Sequence, residues 1–488
     1  MMDGRLYMDA PAHPEFYQHS LFVLVHEGRF YGKYPLGWPA ILGAFDAAGI
    51  GFAANAVMAA LAVVLAGLVG SELAGRRVGL LAAGVMALSP WLWFHGSTFA
   101  SHVAATCAVW AFVWMLLRMW RLSDEGAAAR RVLAWAAGAG LVLGAALLIR
   151  PFDAAMFTLP AVVLVLAGLV RCWRRWLPLG TVIAVGACVG LGIYLWSLTQ
   201  TTGSIFISPY AQEERWEGDW QITPLGMAGR AVFQWVELNG RFPGWGIGGL
   251  VLAAGGLLVL LHRRGQRGLA RGGAWVVVAA AVGLFFAGSC IFGFTNTWWG
   301  PRWLLPVAPL MAILIAVLVD AALRTAARRG HGPDLAAGGW RARRAVRNAP
   351  AAARLLLLFV VASALVGLLR YGGQYHEHVL APPHTVSAAA WRATRQLENA
   401  VVAMPTAGDR APLDARAGMA YMRVPFEANQ VIYVRNAPDW ESRALAMYPG
   451  RDLYRIDPAP HAPRGFSLIA VTTDAKPTAH AAGAEAGP

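Results

Sequence analysis

Long apolar stretches separated by short, arginine-rich connections dominate this sequence. Of the 488 residues, 57% are hydrophobic and only 14% are charged. An apolar helix of roughly 20 residues is long enough to cross the hydrocarbon core of a bilayer. Length and apolarity predict ten such spans, at residues 50–70, 78–94, 99–117, 132–149, 153–170, 177–197, 243–261, 273–293, 302–323 and 353–370. The expected fold is an all-α polytopic membrane bundle of about ten transmembrane helices.

The arginines predict the orientation of this bundle, because short basic loops stay in the cytoplasm. Basic residues follow every second predicted span, at Arg76 and Arg77, Arg118 to Arg131, Arg171 to Arg175, Arg263 to Arg271, and Arg324 to Arg354. The other connections are short or mixed in charge, at 94–98, 150–152, 198–242 and 294–301. These connections and residues 1–49 are therefore predicted to be extracytoplasmic. Although the net charge is +14, the basic residues form no aromatic-interleaved face, which argues against nucleic acid as a partner.

The C-terminal part of the sequence differs in character from the spans. Three strand-like runs, "NAVVAMP", "NQVIYVRN" and "FSLIAVTT", follow the last of them. We predict a small extracytoplasmic α/β domain at residues 371–473 and a disordered tail at 474–488. Residues 1–49 would be an extracytoplasmic first-loop remnant, and residues 50–370 the transmembrane module.

Four segments at predicted extracytoplasmic ends of spans combine charge or imidazole with aromatic residues or proline. They are "YGKYPLGWPAIL" at 31–42, "HGSTFASH" at 95–102, "IRPFD" at 149–153 and "NTWWGPRWLLP" at 296–306. Each alone could belong to the aromatic belt and snorkelling arginines of any membrane protein. Because all four lie on one predicted side, together they favour a binding site. In the first segment, two prolines predict a non-helical approach to the membrane.

Cations at the outer surface of a bilayer suit a phosphate whose lipid tail stays in the membrane. The 41 basic residues include only two lysines, Lys33 and Lys476, and Lys476 lies in the predicted tail. A compact ammonium at Lys33, inside "GKYP", is therefore a candidate ligand for a lipid-linked phosphate. No cluster of carboxylates suggests a metal, so neither a metal nor a cofactor is predicted.

Five motifs, taken in order, resemble those of one family over roughly residues 1–457. "GRFYGKYPLGWPAILGAF", "ALSPWLWFHGSTFASH", "LLIRPFDA", "WWGPRWLLPVAPLMAIL" and "ALAMYPGRDLYRID" are similar to elements of the GT-C superfamily of membrane glycosyltransferases. The branch concerned includes the protein O-mannosyltransferase-like and aminoarabinose-transferase-like enzymes. The match loosens at Leu36, where the family has a second proline.

The resemblance implies a multi-pass enzyme of the inner (plasma) membrane. It would transfer a hexose or pentose from a polyprenyl-phosphate carrier to a glycan, lipid or protein acceptor outside the cytoplasm. A general base would deprotonate the acceptor hydroxyl while cations stabilise the departing phosphate. Lys33 matches the family's phosphate-contacting lysine, with Tyr34 beside it. Arg150 and Arg302 are candidates for further phosphate neutralisation, and His102 for a hydrogen bond to the sugar or acceptor.

The family's catalytic aspartate lies in a "DE" motif after its first transmembrane helix, upstream of the "GRL" that stands here at Gly4 to Leu6. Asp3, Asp9 and Glu15 are the nearby carboxylates, and Asp9 and Glu15 are the weak candidates for the base, but neither occupies the family position. The predicted export of residues 1–49 also requires a preceding signal, and "MMDGRLYMD" has no apolar core. Both observations predict a further helix upstream of Met1, without which the chain would be an inactive form of this design.

Two other functions fit ten spans. A secondary transporter would suit Gly-rich helices, but no paired halves are visible, and Asp46 and Asp320 lie near predicted span ends rather than at the midplane. A non-catalytic scaffold could keep the fold without the chemistry. A transporter would move solute without a lipid carrier, a transferase would release sugar from its carrier only with an acceptor, and a scaffold would do neither.

Overall fold

The computed structural model of the protein forms two compact units. The larger comprises Pro35–Ser197 and Arg215–Gly372, and the smaller comprises Met1–Tyr34, Leu198–Glu214 and Gly373–Pro488. The structure describes residues 5–10, 23–212, 223–236, 249–264, 272–291, 302–329, 393–394, 396–404, 429–436, 439–458 and 466–471, with parts of 351–369.

Helices account for nearly all of the described part of the larger unit. They are α1 Gly37–Ala47, α2 Ala54–Ala74, α3 Arg76–Ala87, α4 Pro90–Gly96, α5 His102–Asp124, α6 Ala129–Ile149, α7 Pro151–Thr202, α8 Pro224–Val236, α9 Gly249–Arg264, α10 Gly272–Ile291 and α11 Ala308–Arg329. Short 3₁₀ turns, Gly51–Ala53 and Arg302–Val307, precede α2 and α11. Within the described residues, six helices are long and apolar enough to cross a membrane, or seven if α3 and α4 form one bent span.

The predicted membrane bundle with a small C-terminal α/β part is confirmed. The predicted spans 153–170 and 177–197 lie on either side of Cys172, where α7 has a non-helical backbone conformation. The predicted span 243–261 corresponds to the shorter α9. Ten of the 18 residues of the predicted span 353–370 are described, and these ten are helical.

A proline explains the bend of 60° between α3 and α4. Ser89 precedes Pro90 and has an extended backbone, with ψ at 111°, as steric contact with a following proline ring favours. The Ser89 hydroxyl accepts a hydrogen bond from the Leu92 N–H, so it caps the new helix, and Pro90 occupies the first helical position, where no N–H is needed.

Glycines allow α6 and α7 to pack backbone against backbone. A Cβ atom on Gly190 would lie 2.3 Å from the Gly144 Cα, and one on Gly140 would lie 2.4 Å from the Ile183 carbonyl oxygen. Such close approach is typical of small residues at helix interfaces in membranes. The crossing fixes the two helices on either side of Arg150.

The prediction of a non-helical approach across both prolines of the opening segment is wrong for its second half. Helix α1 begins at Gly37, and Pro39 is its third residue. The first N–H groups of a helix have no partner within it, so proline is tolerated there. Only the stretch before Gly37 remains non-helical.

The smaller unit contains two β-sheets. The first has the antiparallel order β1-β3-β2, with β1 Tyr7–Asp9, β2 Val23–His26 and β3 Arg29–Gly32. The second has the order β5-β4-β6-β7, with β4 Ala400–Met404, β5 Val431–Arg435, β6 Asp452–Pro458 and β7 Phe466–Ala470. Strands β4, β5 and β6 are parallel, β7 is antiparallel to β6, and α12, Trp440–Met447, precedes β6. The three predicted strands are found as β4, β5 and β7.

The N-terminal and C-terminal strands share one hydrophobic core. Phe30 of β3 packs in a cluster with Val401, Ile432, Trp440 and Leu453 of the C-terminal sheet and helix. The first sheet and the C-terminal sheet therefore form one folded unit. Lys33 is the residue that directly follows β3.

Candidate functional site

Arg150 occupies the single residue between α6 and α7. Its backbone is extended, with φ at −151° and ψ at 94°, because the ring of Pro151 disfavours a helical conformation at the preceding residue. Pro151 then begins α7 at a position where helices favour proline. The sequence "IRPF" thereby ends one helix, starts the next and directs the arginine side chain into the junction.

The Arg150 guanidinium joins three side chains. Its Nε lies 2.9 Å from Oδ2 of Asp153, one turn later in α7. Its Nη1 lies 2.8 Å from Nδ1 of His102, the first residue of α5. Its Cζ lies 4.3 Å from the ring centroid of Trp303, in the 3₁₀ turn before α11. All of Arg150, Asp153 and His102 are buried, so the contacts form in a site that excludes most water.

The contact with Arg150 fixes the hydrogen-bonding state of His102. An arginine side chain has five donors and no acceptor, and it stays protonated in proteins. Nδ1 of His102 must therefore accept the hydrogen bond, which leaves the proton of a neutral imidazole on Nε2. His102 is thus a hydrogen-bond donor through Nε2 in this arrangement.

Aromatic rings and a second imidazole surround this group. The Trp303 ring meets the His102 ring edge-on at 5.0 Å, and the His95 ring lies 6.2 Å from that of His102. The Arg302 guanidinium lies 5.6 Å from the Trp303 ring centroid. Three of the four segments singled out in the sequence, at 95–102, 149–153 and 296–306, therefore supply residues to one cluster.

The second half of the opening segment supports the connection between α4 and α5. Trp38 Nε1 donates a hydrogen bond of 2.6 Å to the Phe99 carbonyl. Asn55 donates to the Thr98 carbonyl and, over 2.9 Å, to that of Ala100. These bonds hold the backbone that leads into His102.

Lys33 belongs to the smaller unit, one residue after β3. Its side chain is buried, and Nζ lies 5.9 Å from the ring centroid of Tyr34 and 5.5 Å from that of Tyr210. The two rings meet edge-on at 5.9 Å. Lys33 and Tyr34, both predicted from the sequence, are thus brought together. Tyr210 was missed, and its only signal was its place in a connection predicted to lie on the same side of the membrane.

The last turn of α7 anchors β3, the strand that precedes Lys33. Arg29 donates hydrogen bonds of 3.3 and 3.2 Å to the carbonyls of Thr199 and Gln200, in the last turn of α7, where backbone carbonyls lack helical partners. Burial raises the pKa of Tyr31 to about 12, although the charge of Arg29 acts in the opposite direction. The Tyr31 phenol therefore stays neutral at physiological pH.

The two weak candidates for the general base gain no support. Asp9 lies on β1 with its side chain 89% exposed, 4.0 Å from Arg5. Glu15 lies outside the described residues. Asp153 was not chosen from the sequence, although its spacing of three residues from Arg150 in "IRPFD" could have indicated the pair. Among the described residues, no group of three His, Cys, Asp or Glu side chains could hold a metal ion, and the absence of a metal from the reaction stays a prediction.

Asp320 has a different setting from that of an ion-transport site. Its side chain is buried in α11, and it pairs with Arg77 at 3.3 Å and Arg324 at 2.7 Å. Arg77 and Arg324 both belong to loops predicted to be cytoplasmic. The carboxylate therefore joins α3 to α11 and has its charge balanced locally.

No protein-family model matches the sequence, and no curated protein matches it either. The structure, however, is similar to two crystal structures of ArnT from Cupriavidus metallidurans. The apo state superposes with a TM-score of 0.54 at 16% identity and covers 94% of this chain and 92% of that one. The state bound to undecaprenyl phosphate gives 0.54 at 14% identity, with coverages of 91% and 88%.

The chain has the GT-C fold of ArnT. The similarity extends over nearly the whole of both chains, so it includes the helical bundle and the C-terminal α/β part. The GT-C fold predicted from the five motifs is confirmed. The roles of Lys33, Tyr34, His102, Arg150 and Arg302 stay predictions.

Proposed function

We propose that this chain is a membrane glycosyltransferase that moves a hexose or pentose from a polyprenyl-phosphate carrier to an acceptor on the extracytoplasmic side of the inner membrane. The observation that carries the proposal is the GT-C fold over nearly the full length, shared with an ArnT structure that binds undecaprenyl phosphate. The motifs that resemble this superfamily support it further, because three of them supply the buried cluster around Arg150.

Lys33 is the proposed ligand of the carrier phosphate. Its ammonium is buried beside two tyrosine rings, whose faces attract a cation. A compact, movable point charge suits a phosphate monoester or diester. As the bond between the sugar and the carrier breaks, negative charge grows on the phosphate, and a cation already in position stabilises that transition state.

The two arginine candidates are not equivalent. Arg150 already has a buried counter-ion in Asp153, 2.9 Å away. The guanidinium of Arg302 lies over the ring of Trp303 instead. We therefore keep Arg302 as a candidate for phosphate neutralisation in the larger unit and assign Arg150 a different role.

A transfer assay tests this proposal. The protein is reconstituted in proteoliposomes with undecaprenyl-phosphate hexoses or pentoses, both as the chain given and extended by any helix encoded upstream of Met1, and glycan, lipid and protein acceptors are added in turn. We expect undecaprenyl phosphate to be released only when an acceptor is present. Flux of a soluble sugar without any lipid carrier would support the transporter instead, and the absence of both flux and carrier binding would contradict the proposal.

A further inference from the structure

We propose that His102, Arg150 and Asp153 form a subsite for a sugar hydroxyl, in which Asp153 and Arg150 are positioning residues and His102 donates the hydrogen bond. This inference rests on the proposed function, because the hydroxyl belongs to a substrate of the transfer. It separates the recognition of the sugar from the recognition of the phosphate.

Charge balance argues against Arg150 as a ligand of the phosphate. Asp153 is 1% exposed, and its Oδ2 pairs with Nε of the buried Arg150. The two formal charges cancel, and His102 is neutral in this arrangement. If Arg150 turned to a phosphate, it would leave a buried carboxylate without its partner, which is strongly unfavourable.

Oδ1 of Asp153 and Nε2 of His102 can each take a further hydrogen-bond partner. Within the described part of the chain, Oδ1 of Asp153 has no hydrogen-bond partner although it is buried. Among the same residues, the hydrogen bonds of His102 use Nδ1 and its backbone carbonyl, so the Nε2–H group makes none. One atom accepts and the other donates. A hydroxyl group does both, whereas a phosphate oxygen at neutral pH accepts only.

The imidazole is held rigidly for this role. Its Nδ1 is fixed by Arg150, and its ring meets the edge of Trp303 at 5.0 Å. Arg150 in turn lies over the Trp303 ring and is held by Asp153. Donors that are locked before the ligand arrives lose little entropy on binding, and such pre-organisation is what a selective polar subsite needs.

Two substitutions of His102 separate the roles of its ring nitrogens. His102→Asn keeps an acceptor near Nδ1 but removes the Nε2–H donor, whereas His102→Gln keeps a donor near the Nε2 position. Binding is measured for the full chain in nanodiscs, with bare undecaprenyl phosphate and with its hexose and pentose derivatives. We compare the variants on the glycosylated carrier that binds more tightly than bare undecaprenyl phosphate. His102→Asn should bind this carrier about tenfold more weakly, equivalent to ~1.4 kcal/mol. His102→Gln should retain most of the affinity of the unaltered chain.

Neither His102 variant should change the affinity for bare undecaprenyl phosphate. Asp153→Asn should lose the same preference for the glycosylated carrier as His102→Asn. Asp320→Asn is the matched control, because it alters another buried, arginine-paired carboxylate outside the cluster. It should leave the ratio of the two affinities unchanged, even if stability falls.

The outcomes also identify the source of the hydroxyl. A loss confined to the glycosylated carrier assigns it to the donor sugar. Unchanged carrier binding, with about a tenfold higher KM for the acceptor in the transfer assay, assigns it to the acceptor. Equal losses for bare and glycosylated carriers, or no change in any of these quantities, would overturn the proposal. Failure of the unaltered chain to bind undecaprenyl phosphate would instead contradict the proposed function.

Discussion

The Arg150 guanidinium donates a 2.8 Å hydrogen bond to His102, 48 residues earlier in the sequence. The same group also pairs with Asp153 and lies over Trp303. A lysine is a point donor and lacks the planar fork that serves these three partners at once. We expect Arg150→Lys to lower the free energy of unfolding by about 1–3 kcal/mol, because a buried partner is left unsatisfied.

Thermal unfolding in detergent measures this loss. Arg174→Lys is the matched control, because Arg174 is exposed and lies 5.7 Å from the ring of the exposed Trp173. It should change the midpoint little. Equal midpoints for Arg150→Lys and the unaltered protein would show that the fork is not needed for stability.

Gly37 begins α1 at a point where its backbone touches the end of α6. A Cβ atom there would lie 2.6 Å from the carbonyl carbon of Leu148, a backbone atom that cannot turn aside. Gly37→Ala should therefore destabilise the bundle by about 1–3 kcal/mol. Gly43→Ala, in the same helix, meets nothing within 4 Å and should be neutral or slightly stabilising in the same unfolding measurement.

Phe30 ties the N-terminal sheet to the C-terminal one. Because its side chain lies in the shared core of the smaller unit, Phe30→Ala should cost about 3–5 kcal/mol of local stability. Hydrogen exchange of β4 and β5 should become faster in this variant. The control is Phe206→Ala, which removes a side chain that is 90% exposed and should leave hydrogen exchange in both strands unchanged. If exchange in the Phe30→Ala variant equalled that of the unaltered protein, the two sheets would be independent of each other.

Tyr31 provides a prediction at alkaline pH. Burial raises its pKa from 10.0 to about 12, so the folded state holds this proton more tightly than the unfolded one. The contribution of Tyr31 to stability is therefore complete below pH 10 and is lost as the pH rises towards about 12. In a spectrophotometric titration, Tyr31→Phe should remove one late-titrating phenol and leave the titration of the other phenols unchanged.

Much of the fold was readable from the sequence because lipid imposes a length on apolar helices. The positions at which helices break were less readable. The break at Pro90 fell inside the predicted span 78–94, whereas the interruption of α7 at Cys172 was predicted, because Arg171, Arg174 and Arg175 separate two spans there. The first sheet was missed because its strands have only three or four residues, which is too short for an alternating pattern to stand out.

The sequence predicted which residues belong to the candidate site better than it predicted which of them contact one another. His102 and Arg150 were each identified from a motif, yet their direct contact depends on the packing of α5 against the α6 and α7 junction. Asp153 and Tyr210 were missed because nothing in a single sequence says which aspartate or tyrosine meets a given cation. The motif resemblance also suggested that Arg150 neutralises the carrier phosphate. Its buried ion pair with Asp153 favours a role in positioning His102 instead.

Binding of undecaprenyl phosphate tests the central claim, that Lys33 holds a lipid-linked phosphate, most directly. The full chain is titrated in nanodiscs, with Lys33→Ala as the test and Lys476→Ala, which changes the other lysine of the sequence, as the control. Loss of a charged hydrogen-bonding partner should weaken binding by about 10- to 100-fold. We expect this loss for Lys33→Ala and unchanged affinity for Lys476→Ala. Equal affinities for Lys33→Ala and the unaltered chain would contradict the account.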